Sequence, residues 1–168
     1  MTLFDQPQLF LDADGTISDF NSKAQEILGM PSSEYEALHK AKGMWRELRH
    51  YRSLEGLGFF EDLPLMPDAM DLFNAVQHLD PIILTGCPFG NWAPEQKMRW
   101  AARYFPGTRM ITCMARDKHL HMQPGDILID DREKHRAGWE AAGGVWITHT
   151  SAESSLTQLR EIKPEWLA

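Results

Sequence analysis

Apolar residues fall along this chain in two textures. Short apolar runs end abruptly in small, polar or acidic residues. Longer stretches between them repeat their apolar positions every three or four residues. The runs are Gln8 to Leu11, Pro81 to Leu84, Arg109 to Cys113, Ile127 to Ile129 and Val145 to Thr148. Their length suits buried parallel strands and is too short for helices. The longer stretches read as helices. Asp19 or Asn21 caps one, with Ala24, Ile27 and Leu28 on its apolar face, and Gly29 stops it. Pro31-Ser32-Ser33-Glu34 opens another. Through residues 34–52 it carries Tyr35, Leu38, Ala41, Met44, Trp45 and Leu48 at helical spacing, before Gly56-Leu57-Gly58-Phe59-Phe60 breaks it. Further helices are predicted over residues 67–78, 91–104 (with Trp92, Met98, Trp100 and Ala101), 133–142 and 151–161.

From residue 81 onward, strand and helix alternate. That order predicts an α/β fold with a parallel sheet and helices on both faces. The first strand and the second are about 65 residues apart, too far for one crossover. Residues 17–63 therefore read as a helical cap inserted above the site, and 67–78 as the crossover helix. Residues 1–16 and 64–168 make the core domain.

Composition narrows the partners. A chain of 168 residues with 43% hydrophobic content can bury one core. The net charge of −7 argues against a nucleic-acid backbone or an anionic membrane as the main partner, while leaving room for a small phosphorylated substrate in a local basic pocket. The two cysteines, Cys87 and Cys113, show no disulfide or metal spacing and read as free thiols. No leader and no span of about 18 apolar residues is visible, so a cytoplasmic location is expected.

The candidate chemistry lies where the runs end. Asp12-Ala13-Asp14-Gly15-Thr16 puts two carboxylates two residues apart at a strand's carboxyl end, where α/β folds bind ligands. Such acids repel unless a cation lies between them or one is protonated. A hard divalent ion such as magnesium is the natural candidate. Thr85-Gly86 ends the second run and Asp130-Asp131 the fourth, with Arg116-Asp117-Lys118 between. Parallel neighbours would bring these tips into one crevice. A carboxylate cluster, a hydroxyl beside a glycine amide, and a lysine are what phosphoryl transfer through an aspartyl-phosphate needs. Read singly, each piece is also ordinary turn, cap or surface chemistry. His119-Leu120-His121 and the other histidines make no convincing metal set.

In the order DxDGT, T, K, DD, the sequence resembles the phosphatase branch of the haloacid dehalogenase superfamily. Gly58-Phe59-Phe60-x-x-Leu63, Glu95-x-Lys97-x-x-Trp100 and Arg116-Asp117-Lys118 before Asp126 to Arg132 resemble its 5′(3′)-deoxyribonucleotidase family. The resemblance implies a Rossmann-like three-layer core with a small cap after the first strand. It implies Asp12 as nucleophile and Asp14 as general acid/base. Magnesium would be held by Asp12, the Asp14 backbone carbonyl and Asp130, with Asp131 assisting. Phosphate would be bound by Thr85, Gly86 and Lys118, joined by Lys97. The substrate pocket would draw on Phe59, Phe60, Trp45 and Arg132. The implied activity is a magnesium-dependent 5′-nucleotidase on (deoxy)nucleoside monophosphates. A phosphatase of another small metabolite is the alternative within the superfamily. Two departures bear on substrate: Gly86 stands where the family usually has Ser, and the loop Cys87 to Pro94 differs.

Two other classes remain in view. A dehalogenase needs neither an acid for an oxygen leaving group nor a metal, so Asp14 counts against it. A non-enzymatic phospho-acceptor module of the receiver type would carry its lysine after the acids, whereas Lys118 precedes Asp130-Asp131. The oligomeric state stays open, and exposed cap aromatics would suit a homodimer contact.

Overall fold

The computed structural model describes residues 6–168. Five strands form one parallel sheet: β1 (Leu9–Leu11), β2 (Ile82–Gly86), β3 (Met110–Cys113), β4 (Ile127–Asp130) and β5 (Val145–Thr148), in the order β3-β2-β1-β4-β5. Register pairs Leu11 with Ile83 on one side and with Ile129 on the other. The three strands that end in polar residues are thus side by side, with β1 in the middle.

Alternation along each strand divides the core into two layers. Leu9, Leu11, Ile83, Ile127, Ile129 and Ile147 face helices α3 (Ala69–Val76), α4 (Trp92–Tyr104) and α6 (Ala152–Ile162) through Leu72, Phe73, Trp100 and Leu159. Phe10, Ile82, Leu84, Leu128 and Trp146 face the other way, onto Trp139 of α5 (Arg136–Ala141) and Met122. Met98, placed among the apolar residues of its helix, is 57% exposed: position 98 falls on the solvent side of α4.

Between β1 and α3 lie α1 (Phe20–Leu28) and α2 (Ser32–His50). Asp19 caps α1 by accepting from the Ser22 amide, and Gly29 ends it at φ 75°. The helix predicted over 34–52 is broken at Lys40, whose φ of 64° and ψ of 166° lie outside the helical region. The inserted segment is not a free-standing layer. Its Phe20, Met44, Leu48, Phe59 and Phe60 belong to the same apolar cluster as β1 and β2. Helix α4 holds it down: buried Gln96 accepts from the Phe60 amide at 3.0 Å, and Trp100 donates to the Leu63 carbonyl at 2.9 Å. No helix among the described residues is long and apolar enough to cross a membrane.

Candidate active site

Parallel pairing brings the strand tips into one crevice of about 520 Å³, lined on the sheet side by Asp12, Asp14, Gly86, Lys118 and Asp130. Volumes of this size hold small-molecule ligands. Asp12 follows β1 directly and is 6% exposed. Asp130 is the last residue of β4, one strand away. Lys118 comes from the 3-10 turn Ala115–His121 and is also buried. Its ammonium donates to Asp12 Oδ1 at 2.7 Å and to Asp130 Oδ2 at 2.8 Å. Burial works against the Lys118 charge, but the two acids outweigh it and hold its pKa above the ordinary lysine value. Burial likewise pushes the Asp12 carboxyl up, against the pull of Lys118.

Asp131 completes this half of the crevice. Burial, then the Asp12 charge, pushes its carboxyl up to about 8. Carboxylate oxygens of Asp12, Asp130 and Asp131 all lie within 4.8 Å of one another. Three carboxylates face a single ammonium, and all the donors are oxygen. That excess of negative charge in a hard donor set fits a divalent cation such as magnesium. Gly15 makes the arrangement sterically feasible. It sits at φ 83°, and a Cβ there would fall 2.1 Å from Asp131 Oδ2.

Asp14 occupies a different setting. Its carboxylate lies outside the three-acid group. It accepts from Lys97 Nζ at 2.7 Å and from Ser18 Oγ at 3.0 Å. Lys97 donates as well to Thr85 Oγ1 at 2.7 Å and to the Gly86 carbonyl at 2.9 Å. A lysine has three donors, and these three contacts use them all. Lys97, expected to join the phosphate ligands, is therefore an organiser of Asp14 and Thr85 in this arrangement. Because Thr85 Oγ1 accepts from Lys97, its own proton remains free to donate. The Gly86 amide is free in the same sense. Ile83 and Cys87 donate to β3, so alternation turns the Gly86 N–H to the opposite edge, beyond the last β1 pairing.

The aromatic residues are partly redistributed. Phe59 and Phe60, expected in the substrate pocket, are fully buried and do not line the crevice. Gln96 pulls the Phe60 backbone into the core, and the Phe60 ring lies 4.5 Å below Lys97 Nζ. Trp45 and Arg132 do line the crevice, together with Phe20 and Met44, which the sequence reading had passed over. Periodicity marked Met44 as apolar but did not distinguish a crevice wall from packing. Ser18, four residues after Asp14, was also missed, as no motif spacing marks it. Gly86 has a steric reason. A Cβ there would lie 2.7 Å from Ala115 Cβ and 2.9 Å from its Cα, so a serine does not fit against this turn. Burial pushes the Cys87 thiol up and the Cys113 thiol up to about 11, so neither is a thiolate near neutral pH.

The fold and this acid–lysine constellation define a phosphatase of the haloacid dehalogenase type. The chain belongs to the family described as 5′ nucleotidase, deoxy (pyrimidine), cytosolic type C protein, which matches residues 6–160. Among individual relatives, it is 27% identical over 138 residues to a "Putative 5′(3′)-deoxyribonucleotidase" of Vibrio phage KVP40, covering 80% of this chain and 71% of that protein. Solved structures share the fold at low identity. The L-2-haloacid dehalogenase of Xanthobacter autotrophicus with chloropropionic acid covalently bound superposes with a TM-score of 0.51 at 16% identity, covering 96% of this chain and 84% of that one. A haloacid dehalogenase-like hydrolase of Streptococcus pneumoniae gives 0.50 at 14% identity, covering 90% of each chain.

Proposed function

We propose that the protein is a magnesium-dependent phosphomonoesterase that hydrolyses (deoxy)nucleoside monophosphates through an aspartyl-phosphate on Asp12. The carrying observation is the division of the crevice. Asp12 sits with Lys118, Asp130 and Asp131, while Asp14 is held apart by Lys97 and Ser18. The Asp12 carboxylate attacks phosphorus in line, forming the acyl-phosphate bond as the bond to the leaving oxygen breaks. Asp14 gives its proton to that oxygen. It then takes a proton from water, which attacks the acyl-phosphate, releases phosphate and restores Asp12. Lys118, the Thr85 hydroxyl and the Gly86 amide meet the phosphoryl oxygens. Asp12, Asp130 and Asp131 would hold magnesium, with the Asp14 carbonyl; when bound, the ion keeps these acids ionised and offsets the charge on the phosphoryl group. Segment 17–63 serves as the cap, its Phe20, Met44 and Trp45 facing the nucleoside.

Phosphate release from a panel of phosphomonoesters, with and without magnesium, tests this reading. Magnesium-dependent release that favours deoxynucleoside monophosphates supports it. Release only from other phosphomonoesters keeps the chemistry and discards the nucleotide. Release unaffected by chelation of metal discards the ion.

A further inference from the structure

A second concavity of about 1120 Å³ lies along α2 and adjoins the active-site crevice, with Trp45 and Pro88 lining both. Its composition is unlike the rest of the chain. Five basic side chains line it: Lys40, Lys42, Arg46, Arg49 and Arg52, with two imidazoles besides. Among the described residues, none with a carboxylate side chain lines it. This basic strip exists in a chain whose net charge is −7. Glu47, next to Arg46 in sequence, approaches it only to 3.7 Å, and both are well exposed, so the pair contributes little.

The order of the residues matters as much as their charge. Lys42, Arg46 and Arg49 stand at i, i+4 and i+7 on one face of α2, a row of cations rather than a single pocket. Met44 and Leu48, on the other face, are buried. The wall facing α2 is formed by Pro88, Phe89 and Trp92. Phe89 is 92% exposed, and half-buried Trp92 packs edge-on against Trp45 of α2, with ring centroids 6.3 Å apart. Phe89 and Pro88 belong to the loop between β2 and α4. One further phosphate would engage one or two of these cations and would need no exposed rings. A row of cations facing aromatic rings is the pattern by which single-stranded nucleic acid is held: backbone phosphates on the cations, bases stacked on the rings.

We propose that this groove is the distal half of the substrate site. It holds the backbone and bases of a short single-stranded oligonucleotide whose terminal phosphate lies at Asp12. The inference rests on the phosphatase reading and extends its substrate class from mononucleotides to phosphorylated strand ends. The chain's overall negative charge pointed away from nucleic acid, but an average over the whole sequence does not register a local strip.

The test compares phosphate release, with magnesium, from a deoxynucleoside monophosphate and from single-stranded deoxyhexamers phosphorylated at the 5′ or 3′ end. One of the hexamers is expected to have a KM at least about ten-fold below that of the mononucleotide, the yield of one stacked base. That advantage should shrink steeply as salt rises from about 50 to 200 mM. In a Lys42→Glu/Arg46→Glu/Arg49→Glu variant, the hexamer-to-mononucleotide ratio of kcat/KM should fall toward one. All three side chains are exposed, so the variant should keep the wild-type melting temperature. A hexamer that is not preferred, or a preference that survives the substitutions, overturns the proposal. Binding of a fluorescent phosphorylated hexamer to the Asp12→Asn protein, read by anisotropy, separates the two claims. If no phosphomonoester is hydrolysed but the hexamer binds and charge reversal abolishes it, the groove stands and the phosphatase reading falls. Binding of an oligoglutamate peptide in place of the hexamer overturns the oligonucleotide in favour of an acidic protein partner.

Discussion

The two halves of the crevice use the same residue types to different ends. On one side a buried lysine meets Asp12 and Asp130, with Asp131 close by. On the other a buried lysine meets Asp14 alone, and spends its other donors on Thr85 and the Gly86 carbonyl. The first half holds more negative charge than its lysine can neutralise, and Asp131 is driven up to about 8 as burial and Asp12 bear on it. The second half is balanced. Excess charge in a set of oxygen donors suits a cation beside the proposed nucleophile. A balanced pair makes a fixed, partly exposed carboxylate, the setting of the proposed acid/base. Charge count, rather than residue identity, separates the two settings.

The contrast can be broken at three points. Asp12→Asn has the largest expected effect. It removes the proposed nucleophile, so magnesium-dependent turnover should vanish while the circular dichroism spectrum is kept; near-normal turnover would falsify the assignment. Asp14→Asn should slow turnover by roughly 10²–10⁴-fold, the usual weight of general acid–base help, with a much smaller change in KM. An equal loss in both variants would mean that the two halves are one functional unit. The gentlest probe is stability against pH in magnesium-free protein. The raised folded pKa of Asp131 means that the folded state holds a proton which the unfolded chain, titrating near 4, has released. Stability from this group is therefore full below about pH 4 and is lost as pH rises through about 8. Asp131→Asn should flatten that part of the melting-temperature profile, and added magnesium should flatten it in the wild type. A profile unchanged by either would show that the three-acid half carries no strain.

Segment 51–63 offers a similar test of the proposed cap. Tyr51 donates to Asp62 at 2.5 Å, and Lys23 lies 3.0 Å from the same carboxyl. Burial acts against that charge, but these two donors hold Asp62 below the usual carboxylate value. The stability it adds is present above the unfolded pKa and is lost as pH falls through the lower folded one. Tyr51→Phe should therefore lower the melting temperature slightly at neutral pH and less in acid.

The acidic strand tips were legible because they are local. Asp12, Asp14 and Gly15 adjoin one another in sequence, Asp130 adjoins Asp131, and each group ends an apolar run whose length announces a strand. The stop of α1 at Gly29 was legible for the same reason, since one backbone conformation sets it, whereas the choice of Asp19 over Asn21 as its cap came from the structure. A resemblance of motifs then supplied the order of the remaining pieces.

What the sequence by itself determined, then, was the set of parallel strands, the polar tips and the acids and hydroxyl at them, since periodicity and turn chemistry act within a few residues. The tertiary structure alone decided the partners. Lys118 meets Asp12 across 106 positions and Lys97 meets Asp14 across 83, distances closed only by sheet register and the placing of α4. It also decided that Phe59 and Phe60 are core while Phe20 and Met44 are wall, that Ala115 leaves no room for a side chain at position 86, and that the cations of α2 line one open groove. Apolar and charged residues declare their solvent preference in the sequence, but which neighbour meets that preference depends on how distant elements pack.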